Sequence, residues 1–442
     1  MDCLSQLPIE LVTHVILLSL DALNSHRKII RAEELRLVNR AWKTIIESTP
    51  LFWTFITDEL RSSPETIHRR IENSGEAPLH ILLRKDGQSL HAFMLLLSPH
   101  IHRWRKLDVQ GWGSNISPYT SEPAPTLESL ILHSVSLSSN RVPFGGITPS
   151  LSFVTLGNVS VPYDPIFLRE LRNLSLQNIT HGQEHLPLSR LRDILRLCPD
   201  LQRLEIDGRY TPEPPLAHQP PMVLPELSSF HLRGLQNPPD IIEAIFNMII
   251  APRLALVNLI FDEHWRWQAL NVLSPLSTKL LLQHTGFHIF ISDWRIQISP
   301  IIREGVISSS SRVFINLSSS ARGGGPALKV LEDVGKVAPS SATVDIVITD
   351  LRSTRLISNY LRSHVEGDDA SFGHPLPQLR TFQMNVRFRA NRPYEGEDVL
   401  TELAQGRQDI SKIRMKIRKG SGVDDFDILQ WDRASSSFVS SQ

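Results

Sequence analysis

The chain has 442 residues, with 46 Lys+Arg against 46 Asp+Glu. That is too long for one ordinary compact core, so two domains or a repeat array are expected. A neutral balance offers no global field to draw in a polyanion, which makes nucleic acid a poor partner. Two cysteines, Cys3 and Cys198, form no disulfide framework and suit a reducing compartment.

The first residues carry an acid and no basic region, and the longest apolar runs fall short of the roughly 20 residues that span a bilayer. A cytoplasmic or nuclear protein without membrane contact is expected.

Residues 1–57 read as a small helical domain. In LPIELVTHVILLSL, Pro8 stands at a first-turn position, where its missing N–H costs nothing. Leu11, Val15, Ile16 and Leu18 come next at helical spacing. RAEELRLVNRAWKTIIES places Leu35, Val38, Trp42 and Ile45 on one stripe with charges opposite. Pro50 then stops the helix, and Leu51, Phe52 and Trp53 come after it. Three short helices make a core too small to bury this many large apolar groups, so some of them are expected to meet a partner.

Leu7-Pro8-x-Glu10-Leu11, Val15-Ile16, Leu35-x-Leu37-Val38-Asn39-x-x-Trp42 and Ser48-Thr49-Pro50-Leu51-x-Trp53 together resemble the F-box, most closely the F-box-like proteins of fungi. The resemblance implies docking to the Skp-family adaptor of a cullin-RING ubiquitin ligase. The residues that would dock are Leu7, Pro8, Leu11, Val15, Ile16, Val38, Trp42, Leu51 and Trp53. The same stripe also reads as plain core, with Trp42 sealing the module onto the remainder of the chain.

A polar linker is expected over 58–77. Over 78–420 one pattern recurs: Leu127-x-x-Leu130-x-Leu132, Leu151-x-x-Val154-x-Leu156, Leu171-x-x-Leu174-x-Leu176, Leu201-x-x-Leu204-x-Ile206, Leu227-x-x-Phe230-x-Leu232 and Leu254-x-x-Val257-x-Leu259. Trp104-x-x-Leu107-x-Val109 fits upstream, and Leu379-x-x-Phe382-x-Met384 and Ile410-x-x-Ile413-x-Met415 fit downstream. The period is that of leucine-rich repeats, which the pattern resembles.

The alternating core of each unit predicts a strand with one face inward. LSRLRDILRLCPD and DIIEAIFNMIIAP predict intervening helices that end at Pro. Where the resembled family places a loop-bonding Asn or Cys, this chain has Val135, Val159, Ile179, Arg209, Leu235 and Asp262, so the loops must be held by apolar packing. The expected fold class is an α/β solenoid: a three-helix F-box, then an irregular leucine-rich-repeat-like array with a parallel sheet.

Between 262 and 350 the register blurs, although HIFIS, RVFINL and ATVDIVITD still read as strands and PALKVLEDVGKVAP as a helix. KIRMKIRK alternates Ile413, Met415 and Ile417 with Lys412, Arg414, Lys416 and Arg418. It reads as a final strand whose charges protect an open edge, with a basic patch for an acidic partner as the rival reading. Residues 421–442 read as an acidic, then Ser-rich tail with a disordered end.

No catalytic constellation emerges. His181-Gly-Gln-Glu184-His185 matches the string of an inverted zinc-protease motif, but an interior Gly182 and the adjacent Pro187 argue for a loop and against a metal site. Ala321-Arg-Gly-Gly-Gly-Pro-Ala-Leu-Lys329 lacks the Lys-Ser/Thr ending of a phosphate loop. Neither cysteine sits in a nucleophile's context.

A non-enzymatic adaptor without cofactor is therefore expected, a substrate-recruiting subunit that acts by proximity. Its target would be a protein read by Arg203, Glu205, Asp207, His231, Arg233, Asn258, Gln383 and Asn385, side chains that lie between the leucines. The alternative is a protein-binding scaffold whose N-terminal helices only cap the array.

Overall fold

The structure is a computed structural model. It describes residues 8–21, 25–58, 63–84, 87–137, 141–160, 166–181, 184–208, 210–211, 220–233, 239–254, 256–261, 286–292, 295–300, 312–317, 343–348, 358–359, 379–387, 397–406, 412–418, 426–432, 435 and 437–440. The chain divides into two compact units, Met1–Leu201 and Gln202–Gln442.

The first unit opens with helices α1 (Ile9–Asp21), α2 (Ser25–Arg36) and α3 (Arg40–Ser48), followed by a 3-10 turn over Pro50–Trp53. The expected single stripe through Leu35, Val38, Trp42 and Ile45 is broken. Asn39 sits in extended backbone and its side chain accepts from the Trp42 N–H at 2.8 Å, capping a new helix. Asn39 and Trp42 therefore belong to one local device, and Val38 lies outside both helices. Val12, Ile16 and Leu20 of α1 meet Leu35, Ile45, Ile46, Phe52 and Trp53 in one core.

Strand β1 (Phe55–Thr57) comes directly after, then helix α4 (Pro64–Asn73) and strand β2 (Leu79–Leu83). The expected linker over 58–77 thus carries helix α4, which joins two strands paired in parallel. Ser63 caps α4 by accepting from the Thr66 N–H, Pro64 stands in its first turn, and Ile67 and Ile71 bury its inner face. Helix α5 (Gly87–Leu97) leads to β3 (Trp104–Asn115), β4 (Ser129–Ser136), β5 (Phe153–Gly157) and β6 (Asn173–Gln177). These six strands pair in parallel and in chain order.

Leu107 and Val109, Leu130 and Leu132, Val154 and Leu156, and Leu174 and Leu176 are buried on one face. Helices back only part of this sheet. The connections to β5 and β6 carry 3-10 turns, Pro143–Gly146 and Ile166–Leu168, instead of the expected helices.

One backbone feature recurs just after β5 and β6 and within the last residues of β4. Ser134, Asn158 and Asn178 take left-handed backbone, and the next residue, Val135, Val159 or Ile179, is buried. Apolar pivots hold these loops, as their sequence implies. Beyond β6 come the short strands β7 (Thr180–His181) and β8 (Glu184–Pro187), then helix α6 (Leu188–Arg196).

In the second unit, β9 (Arg203–Asp207), β12 (Ser229–Arg233), β14 (Leu256–Phe261) and β17 (Arg312–Leu317) pair in parallel. Strand β10 (Tyr210–Thr211), the short parallel pair β11 (Met222–Val223) and β13 (Ile249–Ile250), and helix α7 (Pro239–Met248) lie among them in sequence. All six repeat registers from Leu127 to Leu259 therefore carry a strand of a parallel α/β sheet.

A seven-stranded sheet holds β15 (Gly286–Ser292), β16 (Arg295–Pro300), β18 (Thr343–Ile348), β19 (Leu379–Arg387), β20 (Lys412–Arg418), β21 (Phe426–Asp432) and β22 (Ser437–Ser440), in the order β16-β15-β18-β19-β20-β21-β22. Two expectations fail here. KIRMKIRK is not an edge, because β20 pairs with β19 on one side and antiparallel β21 on the other. The tail is no bare extension either: its segments at Phe426 and Ser437 are strands. The alternating apolar residues of FDILQWD mark one of them. PALKVLEDVGKVAP and the glycine segment at 321–329 lie outside the described residues. No helix among the described residues is long and apolar enough to cross a membrane.

Candidate functional sites

The N-terminal helices sort the nine docking candidates into two groups. Pro8 is exposed, as are Leu11 and Val15 (52% each), Val38 (58%) and Leu51 (47%). Ile16 (2%) and Trp53 (3%) are core, and the Trp53 indole N–H donates to the Ile46 carbonyl at 3.0 Å. Trp42 is half-buried against the same core, and Leu7 lies outside the described residues.

Helix geometry explains the division. Val12, Ile16 and Leu20 recur at i, i+4 and i+8 and turn inward, while Leu11, Val15 and Leu18 recur at i, i+4 and i+7 on another face. An α1 with two apolar stripes has only one of them packed within this unit. Ile9, Leu18 and Leu37 are also exposed and were missing from the sequence-derived set. The i+7 relation of Leu18 to Leu11 was the available signal. A small pocket beside α1 is lined by apolar side chains that include Leu17, Leu20, Ile29, Ala32 and Leu51, together with Lys28.

Of the target-facing candidates, six fall on three adjacent strands of the second unit. Glu205 on β9, His231 on β12 and Asn258 on β14 share one cross-strand row, and Asp207 stands opposite Arg233. Arg233 reaches back to Glu205 at 3.3 Å, and Ser229 Oγ lies 2.9 Å from His231 Nε2. The His231 pKa is lowered, chiefly by burial, with Glu205 opposing and Arg233 and Arg203 assisting. Gln383 and Asn385 are on β19, in the other sheet, where they register with Arg414 and Lys416 of β20. The eight candidates therefore form two groups rather than one surface.

The His181–His185 string is a hairpin. β7 and β8 run antiparallel with His181 opposite Glu184, so the two histidines do not share a helix face. Among the described residues no cluster of His, Cys, Asp and Glu is arranged to hold a metal ion. Cys198 is buried, its thiol donates to the Leu168 carbonyl at 2.7 Å, and burial pushes its pKa up to about 11. Such a thiol stays protonated at neutral pH and is a poor nucleophile.

Compared with known proteins, the chain matches no family model and no curated sequence.

Proposed function

We propose that the chain is a substrate-recruiting subunit of a cullin-RING ubiquitin ligase, docking a Skp-family adaptor through its N-terminal helices and holding a protein target on its strands. The carrying observation is the second apolar stripe of α1, where Leu11, Val15 and Leu18 face solvent, accompanied by exposed Val38 and Leu51. A contiguous apolar surface on a small helical module is costly unless a partner covers it. The F-box resemblance supplies the partner, and the solvent-facing stripe holds two of its nine positions. On this reading the chain breaks and makes no bonds itself. It raises the local concentration of target at the transferring machinery.

Mixed charge on β9 and β12 suits a protein target read by polar complementarity. The adaptor would be met in the cytoplasm or nucleus.

The test is co-purification of the full chain with a Skp-family adaptor. The wild type is expected to retain it, and Leu11→Asp plus Val15→Asp to lose it while unfolding stability moves by no more than about 0.5 kcal/mol. A wild type that retains no adaptor sinks the reading.

A second reading has its own observation. Arg70 of α4 bonds to Glu33 of α2 at 3.2 Å, so the helices are fastened to the first strand–helix unit as a cap would be. Failure of adaptor capture in the wild type is the outcome that favours this scaffold.

A further inference from the structure

Strand β20 carries Lys412, Arg414, Lys416 and Arg418 at alternate positions, so the four stand on one face of the seven-stranded sheet. The opposite face holds Ile413, which is 3% exposed, and by the same alternation Met415 and Ile417. The apolar residues of β20 therefore take one face and its cations the other.

Register adds to the cationic face. On β19, Gln383 stands beside Arg414, Asn385 beside Lys416 and Arg387 beside Arg418. On β21, Gln430, Ile428 and Phe426 stand beside the same three cations. Continuing that register brings Asp432 level with Lys412, so Lys412 has an acid at hand and is left out of the band. Among the described residues, no carboxylate occupies a position paired with Arg414, Lys416 or Arg418.

Cations repel one another in such a row, most directly where Arg387 stands opposite Arg418. They guard no edge, because β20 is paired on both sides. The row becomes favourable where an anion meets it.

We propose that Arg387, Arg414, Lys416 and Arg418 bind an extended segment of another protein that carries carboxylates at alternate positions. A chain laid along β20 repeats its side chains on one side about every 7 Å, the spacing of Arg414, Lys416 and Arg418. Its main-chain N–H and C=O groups need partners, and Gln383 and Asn385 bring amides that match them to the same face. A helix bonds its own main chain and has no use for these amides. Single-stranded nucleic acid stacks its bases on aromatic platforms, and of the positions paired with these cations only Phe426 is aromatic. The site draws on the second unit alone and stands whether or not an adaptor docks.

The experiment is fluorescence anisotropy of the full chain with three labelled probes at one ionic strength. They are a peptide of alternating Glu and Thr, a peptide of the same composition with its Glu in one block, and a thymidine oligonucleotide of equal charge. The alternating peptide is expected to bind at least about threefold more tightly than the block peptide, and to weaken at least about tenfold as salt rises from about 0.05 to about 0.5 M.

Arg414→Gln plus Lys416→Gln is expected to weaken the alternating peptide by at least about tenfold, and Arg414→Lys plus Lys416→Arg to stay within about threefold of wild type. Arg169→Gln plus Arg172→Gln removes two exposed charges from the first unit and is expected to change binding by less than about twofold. Circular dichroism checks the fold of each variant. Should the Gln pair unfold, Arg387→Gln takes its place, with a loss of about threefold expected. Preference for the alternating peptide, lost with these substitutions, supports the site. Equal binding of the two peptides, binding untouched by the substitutions, or an oligonucleotide that outbinds both peptides overturns it.

Discussion

Arg70 and Glu33 form an ion pair at 3.2 Å between α4 and α2, with the Arg70 side chain 7% exposed and its guanidinium 5.5 Å from the Trp53 ring centroid. Glu33 also holds Arg36, which reaches Glu47 on α3 at 2.5 Å. The network ties α2 and α3 to α4. Removing a buried guanidinium strands its partners and opens packing over Trp53.

Arg70→Ala is expected to destabilise the first unit by about 2–3 kcal/mol. Arg70→Met, which keeps the stem over the indole, is expected to cost less. Denaturant melts of both variants, combined with Glu33→Gln in a double-mutant cycle, check the pairing. A coupling energy near zero would remove the pair from the account.

Neighbouring residues of α1 are expected to behave oppositely. Ile16→Ala empties a fully buried position and is expected to cost about 2–4 kcal/mol, whereas Val15→Ala, half-exposed, is expected to stay within about 0.5 kcal/mol. Trp53→Ala belongs with Ile16, at about 3–5 kcal/mol. Thermal unfolding separates the classes. A large loss at Val15 would mean that the outer stripe is packed within the chain and is not an exposed docking face.

These contrasts show what was legible in the sequence. Period-2 alternation marked all six strands from Leu130 to Leu259, because inward side chains must be apolar whatever the loops do. It marked far less of the connections. The 3-10 turns at Pro143 and Ile166 carry too few residues for a helical period to show.

Docking candidates were half resolved, since Ile16 and Val15 are equally apolar and only the helix phase relative to its neighbours decides which one turns inward. Asn39 looked like a motif letter and proved to be a helix cap. Ser63-Pro64 carried the same start signal in a segment read as linker, where surrounding polarity hid Ile67 and Ile71. The cross-strand row of Phe55, His80 and Lys106 could not be read at all, because register across three strands brings together residues 25 and 26 positions apart.

His80 sets a pH dependence. Burial first, and then Arg105, Lys28 and Lys106, push its native pKa down to about 4, below the ordinary 6.5, so between those values the unfolded chain binds the proton more readily. Stability is therefore full above pH 6.5 and declines as pH falls toward 4. Allowing for screening at a half-buried ring, the loss is roughly 1–2 kcal/mol. Unfolding free energies at pH 7 and pH 4.5, for wild type and His80→Gln, test the assignment. The variant is expected to lose that share of the slope, and an identical slope would place the titration elsewhere.

Gly157 on β5 stands in register with His133 on β4, and a Cβ built on the glycine would lie 2.1 Å from His133 Nδ1. The imidazole occupies the space that a side chain would need, so the strand must be bare at this point. Gly157 lies outside the left-handed region, and alanine there meets a neighbour without backbone strain. Gly157→Ala is expected to cost about 1–3 kcal/mol by displacing the ring. In a His133→Ala background the same substitution is expected to cost less than about 0.5 kcal/mol, since the space is then free. Chemical unfolding of the four proteins of this cycle measures the coupling. A penalty that persisted without the His133 ring would assign the glycine requirement to the backbone and leave His133 free to take another rotamer.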